Sequence, residues 1–219
     1  MRTRIRKRRG AYRESMREEG IGLQLPKIRI KPAVCAIFLA MLVFDRDRVC
    51  LLTLTAALLH ELGHLAAARL LGIPLRTVRL GTLGARMEVG GGMLSYGSEW
   101  LLAASGPLCS LLASALAATL WSLTPYARIF SCASLVLGLL NLLPIRTFDG
   151  GRMTECFLRC FLGEGWVERV MRPISLGFLL LLWLCAVYFL LRAGDGLSLF
   201  CFSMSLLVRF FDGDGVALG

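Results

Sequence analysis

Only two histidines occur in the 219 residues, and both lie in Leu59-His60-Glu61-Leu62-Gly63-His64. On a helix, residues four apart stand one turn apart on the same face, so both imidazoles can reach one metal ion. Glu61 then points toward a water on that ion, the position of a general base in zinc metalloproteases. Three fixed letters in five positions also arise by chance as a polar helix face, and a satisfied polar cluster between helices is a further alternative. The surroundings favour the metal. The segment is apolar from Val49 to Leu59 and resumes at Leu65. An ionisable residue near a bilayer centre costs about 2.5–3.5 kcal/mol, and a metal supplies the pairing that removes this cost. A catalytic zinc takes three protein ligands and keeps a fourth position open, so a third donor is required elsewhere. Asp149 is the best candidate, in Asn141-Leu142-Leu143-Pro144-Ile145-Arg146-Thr147-Phe148-Asp149-Gly150-Gly151. Pro144 ends or kinks a helix there, and Gly150-Gly151 lets backbone approach a neighbouring helix closely. Taken alone, Asp-Gly-Gly is an ordinary turn.

The elements that must position these groups are membrane helices. Hydrophobic residues make up 56% of the chain, charged residues only 18%, and the mean hydropathy is +0.66. That excludes a single water-soluble domain. Six apolar segments are expected, at about 30–44, 49–68, 100–121, 127–143, 174–191 and 196–211. Several fall short of the roughly 20 residues that cross a bilayer core, so tilt or local thinning must make up the difference. The net charge of +10 does not indicate nucleic acid, because eleven of the 25 Lys and Arg fall between Arg2 and Lys31 without an aromatic stacking platform. With a cytoplasmic N-terminus, Lys and Arg number twenty on the inner side against Arg46, Arg48, Arg128 and Arg192 on the outer. That excess sets the orientation N-in. Segments two and four then both run inward. His64, five residues before Arg69, lies about 7 Å of helix from the inner boundary, at the same level as Asp149.

The expected fold is therefore an all-α polytopic membrane protein of about six transmembrane helices, with a short β-hairpin near the cytoplasmic face between helices 2 and 3. The hairpin rests on the alternation of Ala85, Met87 and Val89 with Arg86 and Glu88, and its strand edge offers pairing to an extended peptide. Residues 1–29 form a basic cytoplasmic tail, expected to be disordered. Residues 30–211 form the catalytic unit, and 212–219 a short C-terminal tail. The apolar run ending at Phe44 lacks a small-residue cleavage site, which makes it an uncleaved membrane segment. Residues 157–172 read as an interfacial helix broken near Gly163 and Gly165. Ala103, Gly106, Ser110, Ser114 and Ala118 form a close-packing stripe, read as structural. The eight cysteines form no CxxC pair and suggest neither disulfides nor a zinc knuckle.

His60-Glu61-x-x-His64 together with Asn141-x-x-Pro144-x-x-x-x-Asp149-Gly150 resembles the site-2 protease family of intramembrane metalloproteases, in particular the branch containing the stage IV sporulation protease. The resemblance covers about residues 30–211, including a Ser105-Gly106-Pro107 turn within segment three. It implies one zinc ion on His60, His64 and Asp149, Glu61 as general base, and Asn141 as a polar group near the substrate carbonyl or a gate. For Asn141, a helix-packing hydrogen bond stays open. The implied function is a zinc metalloendopeptidase cutting membrane-associated proteins within or beside the bilayer. The implied substrates are a sigma-factor precursor or a membrane-bound anti-sigma factor, in sporulation or another regulated proteolysis, with regulatory membrane proteins as further partners and no nucleic acid. Neither CBS repeats nor a PDZ module stands in the 219 residues, so ATP sensing and PDZ gating are not implied. A non-catalytic membrane scaffold of the same fold and a zinc carrier are the competing classes.

Overall fold

The computed structural model describes residues 27–30, 42–43, 45, 47–73, 75–81, 84–89, 94–193 and 197–215. Most of the first apolar segment, most of the basic tail and the end of the C-terminal tail lie outside these residues. Strand β1 (Lys27–Ile30) is followed by helix α1 (Val49–Leu70), strands β2 (Leu75–Gly81) and β3 (Gly84–Val89), and helices α2 (Tyr96–Ala118) and α3 (Pro125–Asn141). Helices α4 (Asp149–Phe161), α5 (Glu164–Ala193) and α6 (Leu197–Gly215) complete the described chain.

The helix ends explain why α1 occupies 49–70. Its first amides are not capped by the adjacent Arg48, whose backbone sits at φ 58° with no side-chain cap bond. Instead both oxygens of the Asp45 carboxylate accept, from Cys50 N at 3.0 Å and Leu51 N at 2.8 Å. A carboxylate there satisfies two orphan donors and complements the positive end of the helix dipole. Asp45→Ala should destabilise the protein by about 1 kcal/mol, read as a lowered midpoint of thermal unfolding in detergent; an unchanged midpoint would exclude the cap. At the other end, Gly72 takes φ 67°. Its N–H reaches Arg69 O at 3.1 Å while Ile73 N reaches Ala68 O at 2.8 Å, the paired closure that glycine permits. Ile73 then packs with Ala68 and Leu102, which ties the end of α1 to α2.

Helix α2 begins at Ser95, whose hydroxyl accepts from Ser98 N at 3.2 Å, and α3 begins at Thr124, which accepts from Ala127 N at 3.1 Å with Pro125 following. Both are N-cap arrangements. Helix α2 runs unbroken from Tyr96 to Ala118 with Pro107 inside it, so the expected Ser105-Gly106-Pro107 turn does not form. Pro107 removes one backbone donor, and apolar surroundings hold the remaining helical bonds closed. Helices α1, α2 and α3 pack on one another, α4 packs against α2, and α5 lies against α4 and α6. A core of Ile145, Leu179 and Leu206 fixes the loop before α4 to α5 and α6.

Among the described residues, three helices are long and apolar enough to cross a membrane: Val49–Leu70, Tyr96–Ala118 and Gly165–Arg192. Helix α3, with 17 residues, and the apolar stretch Leu197–Phe211 are shorter. Leu58, Leu62, Leu112, Leu116, Leu184 and Leu191 are exposed on these helices, an outer surface suited to lipid. The expected interfacial helix is interrupted once, at Leu162 and Gly163. Its second half, with Gly165, continues without a break into the long α5.

The strands form one sheet in the order β1-β2-β3. Strand β1 pairs in parallel with β2, Ile28 opposite Val78, and β2 pairs antiparallel with β3, Val78 opposite Met87. Residues 27–29 therefore depart from the disorder expected of the tail. Four residues alternating Lys-Ile-Arg-Ile are too few to signal a strand without the partner that β2 provides. The central strand is β2, so the edges are β1 and β3.

Candidate metal centre

His60 and His64 lie on the inward face of α1, 4% and 7% exposed. Their Nε2 atoms stand 3.3 Å apart. Each is 3.1 Å from the same oxygen of Asp149, Oδ2. Asp149 is the first residue of α4, so two distant stretches of sequence meet at one point. Among the described residues, these three form the one group of His, Cys, Asp or Glu able to hold a metal.

The remaining ring nitrogens are held by α2. His64 Nδ1 lies 2.8 Å from Leu102 O and 3.3 Å from Ser105 Oγ, and His60 Nδ1 lies 2.9 Å from Ser110 Oγ. A carbonyl can only accept, so His64 donates from Nδ1 and turns the lone pair of a neutral ring's Nε2 inward. Burial alone would raise the Asp149 carboxyl, but the adjoining His60 and His64 imidazoles hold it down at about 2. A ring lone pair and a carboxylate oxygen thus converge on one small volume, which is the electrostatic requirement for a cation.

Zinc fits this group. With metal–ligand lengths of about 2.0–2.1 Å and tetrahedral angles, neighbouring ligand atoms stand roughly 3.3 Å apart, against the observed 3.1–3.3 Å. Two imidazoles, a carboxylate and second-sphere bonds on the far nitrogens are a zinc-type donor set. Space for them is made by Gly106, where a Cβ would lie 2.2 Å from His64 Nε2 and 2.8 Å from His60 Nε2. Gly63 brings the helices together, since a Cβ there would meet Cys109 Cβ at 2.7 Å and Ser105 O at 2.8 Å.

Asp149 is set by its own loop. A Cβ on Gly150 would lie 2.1 Å from Leu142 O, and one on Gly151 2.2 Å from Ile145 O. The approach the two glycines permit is therefore to the preceding loop, where a neighbouring helix was expected. Arg146 pairs with Glu155 at 3.4 Å and with Glu168, tying the loop to α4 and α5. Arg152 reaches Glu99 at 3.7 Å, tying α4 to α2. Beside it, burial and then the neighbouring Glu99 push the Cys156 thiol up to about 11, which makes it inert as a thiolate.

Glu61 follows His60 on α1 and is half-buried. The Asn141 amide donates to Leu137 O of its own helix at 3.0 Å. Ser110, Gly106 and the Leu102 carbonyl are the contributors that sequence reasoning did not place at the site. Their signal was present: a glycine and a serine one turn apart in an apolar helix, read as packing alone.

No protein-family model matches the chain. It is 36% identical over 115 residues to the proteins named "Putative zinc metalloprotease Rip3" of Mycobacterium tuberculosis strains Erdman and H37Rv. The match covers 48% of this chain and 29% of theirs, so the chain spans under a third of the length of these relatives. Among solved structures it is similar to the site-2 protease from Methanocaldococcus jannaschii, with a TM-score of 0.62, 18% identity and coverage of 87% of this chain and 93% of that one. The fold is that of a site-2 protease, and with three helices apolar enough to span a bilayer the chain is a membrane protein.

Proposed function

We propose that the chain is a zinc metalloendopeptidase that hydrolyses peptide bonds of membrane-associated proteins within or next to the bilayer. The observation that carries this reading is the convergence of His60 Nε2, His64 Nε2 and Asp149 Oδ2 within 3.1–3.3 Å of one another. The similarity to a named zinc metalloprotease and to the site-2 protease fold supports it.

In this reading His60, His64 and Asp149 hold one zinc ion, which when bound lowers the pKa of water toward ~7 and polarises the scissile carbonyl. Glu61 takes the proton of the attacking water and passes it to the leaving amine. Asn141, at the end of α3, would leave Leu137 O to meet the substrate. The chain crosses the membrane about six times with its N-terminus cytoplasmic, residues 30–211 forming the catalytic unit, and the β2–β3 hairpin lies at the cytoplasmic side. Helical substrates hide their carbonyls in backbone bonds, and pairing with the outer edge of β3 would hold them extended. The substrate class we infer is a transcription-factor precursor or an anti-sigma factor, with sporulation as one setting, and partner membrane proteins would govern access.

The test is metal content and metal dependence. Full-length protein extracted gently should carry about one zinc per chain. Its cleavage of a co-expressed membrane-anchored precursor should stop on chelation and return with zinc. Metal-free protein, or cleavage indifferent to chelator, would refute the reading. Zinc held without cleavage of any membrane-associated precursor would favour the scaffold.

A further inference from the structure

The two imidazoles are held by unlike partners, and the difference points to a residue that nothing in the motif identifies. His64 Nδ1 faces the Leu102 carbonyl at 2.8 Å. That group accepts only, so the ring has one neutral arrangement, with the Nε2 lone pair inward. His60 Nδ1 faces the Ser110 hydroxyl at 2.9 Å. A hydroxyl both donates and accepts, so His60 is not locked by chemistry in the same way. With Nδ1–H donating to Ser110, Nε2 offers a lone pair beside His64 Nε2 and Asp149 Oδ2. With Ser110 donating to Nδ1, Nε2 carries the hydrogen and can donate to Asp149 Oδ2 at 3.1 Å. The second arrangement gives both His60 nitrogens a partner without a metal, whereas the first brings two ring lone pairs and a carboxylate oxygen together and is satisfied only by a cation. Ser110 is 1% exposed in the middle of α2, beside the glycine that makes room for the rings.

We propose that Ser110 is a positioning residue for His60, a reversible hydrogen-bond partner that turns His60 Nε2 toward the Asp149 and His64 atoms and accepts from Nδ1–H when a metal is held. This rests on the metal-site reading above. Ser105 does not share the role. Its hydroxyl donates to Leu102 O at 2.7 Å and stands 3.3 Å from His64 Nδ1, which already has the closer carbonyl.

The experiment is zinc affinity of the purified full-length protein in detergent, by competition with a chromogenic chelator, with the visible spectrum of the cobalt-loaded protein as reporter of ligand geometry. Ser110→Ala should weaken zinc about 10–100-fold and alter the cobalt bands, while Ser105→Ala stays within about threefold of wild type on the same scale. The pair Ser110→Thr and Ser110→Val holds volume nearly constant, and only the threonine should retain affinity. That pair decides the matter if the alanine variant does not fold. Equal affinity in the threonine and valine variants, or a Ser105→Ala loss as large as that of Ser110→Ala, overturns the proposal. A wild-type protein that binds no zinc sinks the metal reading itself, whereas wild-type binding with indifferent Ser110 variants sinks this inference alone.

Discussion

Glu61→Gln should reduce cleavage by on the order of 10²–10⁴-fold while leaving zinc bound. Glutamine matches the size of glutamate and keeps its place on α1 next to His60, but it cannot take a proton from water. The converging atoms belong to His60, His64 and Asp149, so the substitution leaves all three in place. Asp149→Asn differs: it removes the charge beside both Nε2 atoms, at 3.1 Å, and should lower zinc content as well as cleavage. Co-expression of each variant with candidate precursors, mass analysis of new termini and metal analysis of the same preparations separate the two outcomes. Normal processing by the glutamine variant would remove Glu61 from the chemistry. A zinc carrier or scaffold would have no cleavage to lose.

The parts of the site legible in the sequence were those whose residue types are rare in their setting. His60, Glu61 and His64 stand out because an apolar segment has no other use for them, and Asp149 because the expected topology put it at the same depth. What α2 contributes was hidden for the opposite reason. Gly106 and Ser110 are ordinary in a close-packed membrane helix, and Leu102 acts through its carbonyl, which every residue has. Their role follows only from knowing which face of α1 lies opposite, and that is a tertiary fact. Strand β1 was hidden likewise, since four residues pair in parallel with a strand more than forty positions away. The long helix α5 shows a third limit. Gly163 and Gly165 are equal as breakers by type, yet only the first lies at a break, because Trp166 N and Val167 N bond back to Gly163 O and start the new helix there.

Helix α2 forms the side of the centre on which α1 and α4 both pack. Its Leu102–Ser110 stretch touches both rings, it lies against Gly63 of α1, and Glu99 near its start holds Arg152 of α4. A substitution there can disturb the metal site without touching a ligand.

Gly106→Ala is the sharpest case, and the expected result is loss of zinc without loss of fold. The added Cβ would lie 2.2 Å from His64 Nε2, 2.5 Å from its Cε1 and 2.8 Å from His60 Nε2. These atoms are the ends of side chains, so the rings can swing aside at little cost to packing. Alanine also favours a helix interior over glycine by up to about 1 kcal/mol, which offsets that cost. The displaced nitrogens, however, are the proposed ligands, and zinc affinity should fall by about 100-fold or more, at or beyond the upper end for altered outer-shell partners. Gly150→Ala would fail differently, because its Cβ meets the backbone oxygen of Leu142 at 2.1 Å, which cannot swing, and the loop itself must move. Gly97 and Gly177 are helical controls with nothing within 4 Å of an added Cβ, and alanine there should leave zinc and thermal stability near wild type. Chelator competition and thermal unfolding on the same preparations check all four variants. Full zinc affinity in Gly106→Ala would mean that the two imidazoles do not meet a metal against this face of α2.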